Sequence, residues 1–174
     1  PYMTIFNPLI IEIIPKLFEM IRRAENKDVS RIMVLLNQVL EIHAKIRPDI
    51  FVSGKTKYSE DELKQIIADE SKPVFVETDE NDTCIGYCFC QIKGVPKAEF
   101  MTPIKILFID DLCVDASCRG QHVGRKLFEY VKEEAKKIGC YEVTLNVWEG
   151  NDSARAFYDK QKMRVKETQM EFIL

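Results

Sequence analysis

The segment from Ile104 to Val114 is apolar at consecutive rather than alternate positions, and a turn carrying Gly120 and Gly124 follows it at once. A strand with two apolar faces belongs inside a sheet that is covered on both sides. Beyond the turn, Val123, Leu127, Tyr130, Val131, Ala135 and Ile138 fall on one face of a helix that Gly139 ends. A central strand feeding an amphipathic helix commits the chain to a layered α/β architecture.

The remaining elements follow from their periods. Val29, Ile32, Met33, Leu36, Leu40 and His43 recur at helical spacing behind the N-cap candidate Asp28, which predicts a helix from Asp28 to Arg47 that stops before Pro48. Ser59 and Glu62 form a capping-box pattern ahead of Leu63, Ile66 and Ile67. Val74 to Glu77 and Cys84 to Lys93 read as the strands of a hairpin that turns through Asp79 to Asp82. Tyr141 to Trp148 alternates as a strand, Asn151 to Lys162 reads as a short helix, and Met163 to Lys166 and Gln169 to Ile173 are predicted as two closing strands. With an opening strand from Met20, the predicted order is β-α-α-β-β-β-α-β-α-β-β, a mixed α/β (α+β) fold.

The chain has 174 residues, room for one sizeable core. Its 25 Lys and Arg against 28 Asp and Glu leave a net charge of −3, which argues against a nucleic-acid partner and suits a cationic or neutral small molecule. Cys84, Cys88, Cys90, Cys113, Cys118 and Cys140 lack CxxC or zinc-finger spacing, so they are expected to be reduced and buried, with no metal. Leu9 to Phe18 is interrupted by Glu12, Pro15 and Lys16 and is far shorter than the roughly 20 apolar residues of a membrane span. A cytoplasmic protein with no membrane partner is expected. Residues 1–19 read as an N-terminal extension to a domain over 20–174; alternatively, Ile10 to Phe18 is an amphipathic helix covering an apolar patch or the surface of a homodimer.

A strand that empties through a Gly-bearing turn into a helix aims unpaired N–H groups at an anion, and Arg119, Arg125 and Lys126 add positive charge. The turn is neither a Walker loop nor a GxGxxG dinucleotide turn, so spacing alone leaves a phosphate site and a plain connection both open. Three motifs taken together are more specific. They are Leu112-Cys113-Val114-Asp115, then Arg119-Gly120-Gln121-His122-Val123-Gly124, then Asn151 with Ala154 to Tyr158 ahead of Met163. In these the chain resembles the GNAT superfamily of N-acetyltransferases.

The resemblance implies a mostly antiparallel central sheet with helices on both faces, and acetyl-CoA as co-substrate. It assigns the pyrophosphate to Arg119, Gly120, Gln121, His122, Val123, Gly124 and Arg125. Leu112, Cys113 and Val114 would pair with the pantetheine arm like an added strand, and Asn151, Ala154, Phe157 and Tyr158 would flank its far side. His122 stands where the motif has its middle Gly, and its N–H survives the change. Lys162 stands where the family commonly has Gly.

Acetyl transfer to an amine with a pKa near about 10.4 needs a proton acceptor, an oxyanion donor and an acid for the leaving thiolate. Asp110 and Asp111 resemble the acidic strand of family members that acetylate polyamines, where carboxylates hold the cationic acceptor and take its proton; side-chain alternation turns one of the two into the cleft, and Asp110 is favoured. Tyr158 is the expected acid and the Val114 N–H the implied oxyanion donor. Cys113 has no His partner nearby in sequence for a covalent route. His43 and Trp148 read as packing residues, although His43, Lys45 and Arg47 lie where such folds line the acceptor cleft. The expected activity is direct acetyl transfer to a primary amine, small cationic amines first and protein N-termini or lysines after. The alternative is a non-catalytic CoA-binding module.

Overall fold

The computed structural model describes residues 19–94 and 99–174. The amphipathic reading of Ile10 to Phe18 lies outside them. Strand β1 (Ile21–Arg23) is followed by helices α1 (Val29–Ile46) and α2 (Glu60–Ala68), strands β2 (Val74–Thr78), β3 (Cys84–Gly94) and β4 (Lys105–Val114), helix α3 (Val123–Lys137), strand β5 (Glu142–Leu145) and helix α4 (Asp152–Lys160). The five strands lie in the order β1-β2-β3-β4-β5. The first three pairings are antiparallel and β4 with β5 is parallel, so the expected mixed, mostly antiparallel sheet is present.

Local chemistry explains the boundaries. Ser59 accepts from the Glu62 N–H while Glu62 accepts from the Ser59 N–H, closing the capping box that starts α2. Val74 and Val76 face α1 and α2 with Ile32, Leu35, Leu63, Tyr87 and Phe89. Phe75, Cys88, Cys90, Leu107 and Ile109 face Val123, Leu127, Phe128 and Val131 of α3 on the other side. Alternation along the strands thus splits the core into two layers, one under each pair of helices. No helix among the described residues is long and apolar enough to cross a membrane.

The chain end differs from the expected pattern. Residues 163–174 form no strand, and β5 stops at Leu145 rather than Trp148. Hydrophobic alternation specifies which face a strand would bury but supplies no ladder partner. Here Val165, Met170, Phe172 and Ile173 are exposed, and the segment is tied down by side chains instead. Lys166 pairs with Glu142, and the Arg47 guanidinium grips Glu171 through two hydrogen bonds of 2.7 and 3.1 Å.

Candidate functional site

Two ladders of unequal length open a slot in the sheet. The β4–β5 pairing runs from Ile106 opposite Glu142 to Ile109 opposite Leu145 and no further, whereas β3 stays paired with β4 as far as Val114. From Asp110 to Val114 the β5-facing edge of β4 is therefore left without a strand. The Asp115 N–H donates to the Ile85 carbonyl at 2.9 Å. Because backbone groups alternate sides along a strand, the Val114 N–H points the other way, into the slot.

The turn after β4 is built to leave donors free. Asp115 accepts from the Ser117 N–H at 2.8 Å and is paired with Arg31 of α1, which fixes the 3-10 turn Ala116–Cys118. Gly120 then takes φ 79° and His122, the N-cap of α3, takes φ 64° and ψ 6°. No side chain caps α3, and the Lys126 N–H to His122 carbonyl bond of 2.9 Å opens the helical ladder. The Val123, Gly124 and Arg125 N–H groups thus have no acceptor within the helix and sit at its positive end. At Gly124 a Cβ would lie 3.3 Å from Val114 Cγ2 and 3.5 Å from the Phe157 ring. Its absence lets the start of α3 close against both β4 and α4.

The cations near this turn divide. Arg125 is exposed, while Arg119 Nε donates back to the Val114 carbonyl at 3.3 Å. Gln121 Nε2 donates to the Ser117 carbonyl at 3.3 Å and so braces the turn. Lys126, expected to add to the phosphate-facing charge, instead pairs with the buried Glu77 of β2. Burial pushes the Glu77 carboxyl up, and Lys126 pulls it partly back.

The two aspartates sit at a β-bulge. Phe89 pairs with Asp111 and the next residue, Cys90, with Ile109, so Asp110 is the extra residue of β4. The bulge flips the alternation: Leu107 and Ile109 belong to the α3 layer, whereas Cys113 belongs to the α1 layer. Both carboxylates consequently reach one cation, rather than one of them facing away as strict alternation implies. Lys57 Nζ, from the α1–α2 loop, lies 2.9 Å from Asp110 Oδ2 and 4.0 Å from Asp111 Oδ2. Asp110 is at the mouth, while the Asp111 side chain is only 10% exposed and accepts from the Tyr87 hydroxyl at 3.0 Å. Burial pushes the Asp111 carboxyl up to about 6, against the lowering pull of Lys57 and the Tyr87 hydroxyl.

Tyr158 of α4 packs on Phe157 and Phe128, with ring centroids 5.0 and 6.1 Å away. Burial first, and then the charges of Cys88, Asp111 and Cys90, hold its phenol well above its ordinary value, so it keeps its proton at neutral pH. Asn151 caps α4 by accepting from the Ala154 N–H at 3.2 Å. Cys113 is buried, its thiol pushed up to about 12 mainly by desolvation, which leaves it a poor nucleophile.

A family comparison gives this arrangement its context. The profile of the Acetyltransferase (GNAT) family matches residues 36–163, which contain the slot, the turn, the acid pair and Tyr158. The chain belongs to the GNAT acetyltransferase family. A mutant of the BH1408 protein from Bacillus halodurans is 32% identical and superposes with a TM-score of 0.84 over 88% of this chain and 98% of that one. Glucosamine-6-phosphate N-acetyltransferase from Arabidopsis thaliana superposes with a TM-score of 0.63 at 24% identity, over 88% of this chain and 96% of that one. In sequence the Arabidopsis enzyme is 37% identical over 62 residues, which is 36% of this chain and only 40% of that protein. An aminoglycoside acetyltransferase from an uncultured soil metagenomic sample, solved with sisomicin, has a TM-score of 0.64 at 19% identity, over 88% of this chain and 93% of that one.

GNAT enzymes take acetyl-CoA as co-substrate, and the residues present fit it. Uncapped N–H groups at the α3 terminus suit a pyrophosphate, and at Gly124 a Cβ would crowd Val114 and the Phe157 ring. His122 and Lys162, the two departures from family glycines, both adopt positive φ, 64° and 62°. The backbone shape of the motif is thus kept without the glycines, at a conformational cost of about 1 kcal/mol each.

Towards the end of α1, the His43 ring lies tilted on Phe51 with centroids 5.1 Å apart, and Phe51 meets Trp148 edge-on at 5.3 Å. Trp148 remains 38% exposed beneath the Arg47 guanidinium, so it forms a rim rather than core packing. Burial, and the nearby Lys57 charge, push the His43 imidazole down and keep it neutral. Lys57 itself had no signal in the sequence: it is one of two lysines, with Lys55, in the loop after Arg47 and belongs to no motif, and only the folded loop brings it to the acid pair.

Proposed function

We propose that this protein transfers the acetyl group of acetyl-CoA to a primary amine by direct attack. The observation that carries the amine acceptor is Lys57 Nζ seated on Asp110 at 2.9 Å beside Asp111: the pair already holds a primary ammonium. Acetyl-CoA supplies the activated thioester. Asp110, at the mouth, docks the acceptor ammonium, and the more buried Asp111 takes its proton. A carboxylate near about 6 is ionised at neutral pH yet basic enough to accept a proton in passing, which a carboxylate at its ordinary value is not. The Val114 N–H meets the oxygen on which charge develops, and the Tyr158 hydroxyl protonates the departing sulfur. The slot and turn hold the two reactants in one place, which lowers the barrier independently of proton transfer.

Small cationic amines lead as acceptors because Asp110 and Asp111 are matched to an ammonium. The likeness to a glucosamine-6-phosphate N-acetyltransferase adds 2-amino sugars, with and without phosphate, to the panel. Thiol release is measured for the parent protein and Tyr158→Phe across that panel. Tyr158→Phe is expected to lower kcat on the order of 100-fold with acetyl-CoA affinity retained, since only the proton donor is removed. Equal turnover in the two proteins would show that the acid is another group.

A further inference from the structure

The ammonium on the acid pair belongs to the protein's own chain. We propose that Lys57 is an internal acetyl acceptor: with acetyl-CoA bound and no external amine present, the enzyme acetylates its own Lys57. The inference rests on the acetyltransferase reading and adds to it a modification site and an intramolecular reaction.

The geometry supports it in three ways. Lys57 Nζ lies on the acid pair proposed above to dock an acceptor ammonium, 2.9 Å from Asp110 and 4.0 Å from Asp111. The loop that carries it is anchored on both sides, by the capped end of α1 at Arg47 and by the Ser59 capping box of α2 only two residues beyond. A tethered amine is presented at a high effective concentration, so it competes with free amines until they are abundant. Lysines elsewhere are placed differently: Lys136 and Lys137 of α3 sit on Glu133 and Glu134 with side chains 67% and 68% exposed.

The step balances with groups already named. The Lys57 ammonium gives one proton to Asp111, which passes it to solvent. The Lys57 nitrogen forms an amide bond to the acetyl carbon and sheds its second proton to solvent as the carbon–sulfur bond breaks, and the sulfur leaves as the CoA thiol with the Tyr158 proton, which solvent replaces. The products are acetyl-Lys57, free CoA and one proton.

Acetylation removes the positive charge facing the pair. Among the described residues, Asp110 and Asp111 of β4 then face the Tyr87 hydroxyl, the Gln91 amide and the Cys88 thiol of β3, Cys113 of β4, and Tyr158 of α4. None of these is cationic, so the modified protein holds Asp111 protonated to higher pH and turns over more slowly near neutrality.

The test is intact-mass analysis and peptide mapping of the full chain incubated with acetyl-CoA alone, beside calorimetry of acetyl-CoA binding and thiol release with external amines. The expected result is one acetyl group per chain, on Lys57. Its first-order rate should not depend on protein concentration, should fall in Asp111→Asn and in the presence of excess amine acceptor, and the modification should be absent in Lys57→Arg. Heat-unfolded protein is the second control and should lose the preference for Lys57. An unmodified Lys57 in protein that binds acetyl-CoA and acetylates an external amine overturns the proposal and leaves the enzyme reading intact. Acetylation spread over Lys136, Lys137 and other exposed lysines, equal in unfolded protein, likewise overturns it as chemical background. Failure to bind acetyl-CoA overturns both.

Discussion

Asp111→Asn is expected to lower kcat/KM for an amine acceptor by about 100- to 10,000-fold and to remove the acidic limb of the pH profile. In the parent protein that limb should lie near pH 6, because Asp111 accepts a proton only when ionised and its carboxyl is pushed up to about 6. Lys57→Met should move the limb to higher pH, since the Lys57 charge is the largest influence that lowers this carboxyl. Steady-state thiol release across pH checks both shifts.

Stability should change in the opposite sense. The folded value of Asp111 stands above its ordinary 3.8, so the folded protein binds this proton more tightly than the unfolded chain does. Its contribution to folding is therefore present at low pH and is lost as pH rises through about 6, costing roughly 3 kcal/mol above that point. Asp111→Asn should thus be at least as stable as the parent at pH 8, by denaturant titration, while losing activity. A variant that loses both would make Asp111 a structural residue.

The second large effect is on stability alone. Lys126→Met should cost about 3 kcal/mol near neutral pH, at the low end for a broken buried pair because the Lys126 ammonium is partly in water. Glu77, 1% exposed, keeps one carboxylate oxygen without a hydrogen-bond partner even in the parent. Burial already raises this carboxyl above its ordinary 4.5, and loss of Lys126 raises it further. Ionised Glu77 is the disfavoured form in the folded chain, so the loss should grow as pH rises above that ordinary value and shrink in acid, where it is protonated in both states. Adding Glu77→Leu should restore most of the stability, because no buried charge then remains. Denaturant midpoints of the single and double variants at two pH values decide it.

Lys126 also shows where reading by pattern stops. Its place beside Arg125 in a turn suited to anions suggested a phosphate contact, but a helical neighbour points some 100° away, and here that direction leads to β2. The elements whose periodicity matched their packing were legible: the α1 stripe, with Val29, Ile32 and Leu36 buried against the sheet, and the capping box at Ser59. The closing strands were not, because alternation in Met163 to Ile173 carries no information about a backbone partner. The Asp110 bulge was equally hidden. One unpaired residue reverses the side-chain alternation of β4, and with it the roles best suited to Asp110 and Asp111: the favoured Asp110 lies at the mouth, and Asp111 has the buried, basic carboxyl. Lys57 was invisible for a related reason, since its significance is a loop-to-strand contact across 53 residues of sequence.

Acetyl-CoA is proposed to bind with its pyrophosphate on the start of α3 and its arm in the slot between β4 and β5. Calorimetric titration of acetyl-CoA into the parent and into Arg125→Glu tests it most directly. Arg125 is exposed, and a carboxylate in the first turn of a helix is itself favourable, so the variant should fold normally. One saturable site per chain is expected in the parent, weakened at least about tenfold in Arg125→Glu by the like charge facing the pyrophosphate. No binding in the parent, or equal affinity in the two proteins, would contradict it.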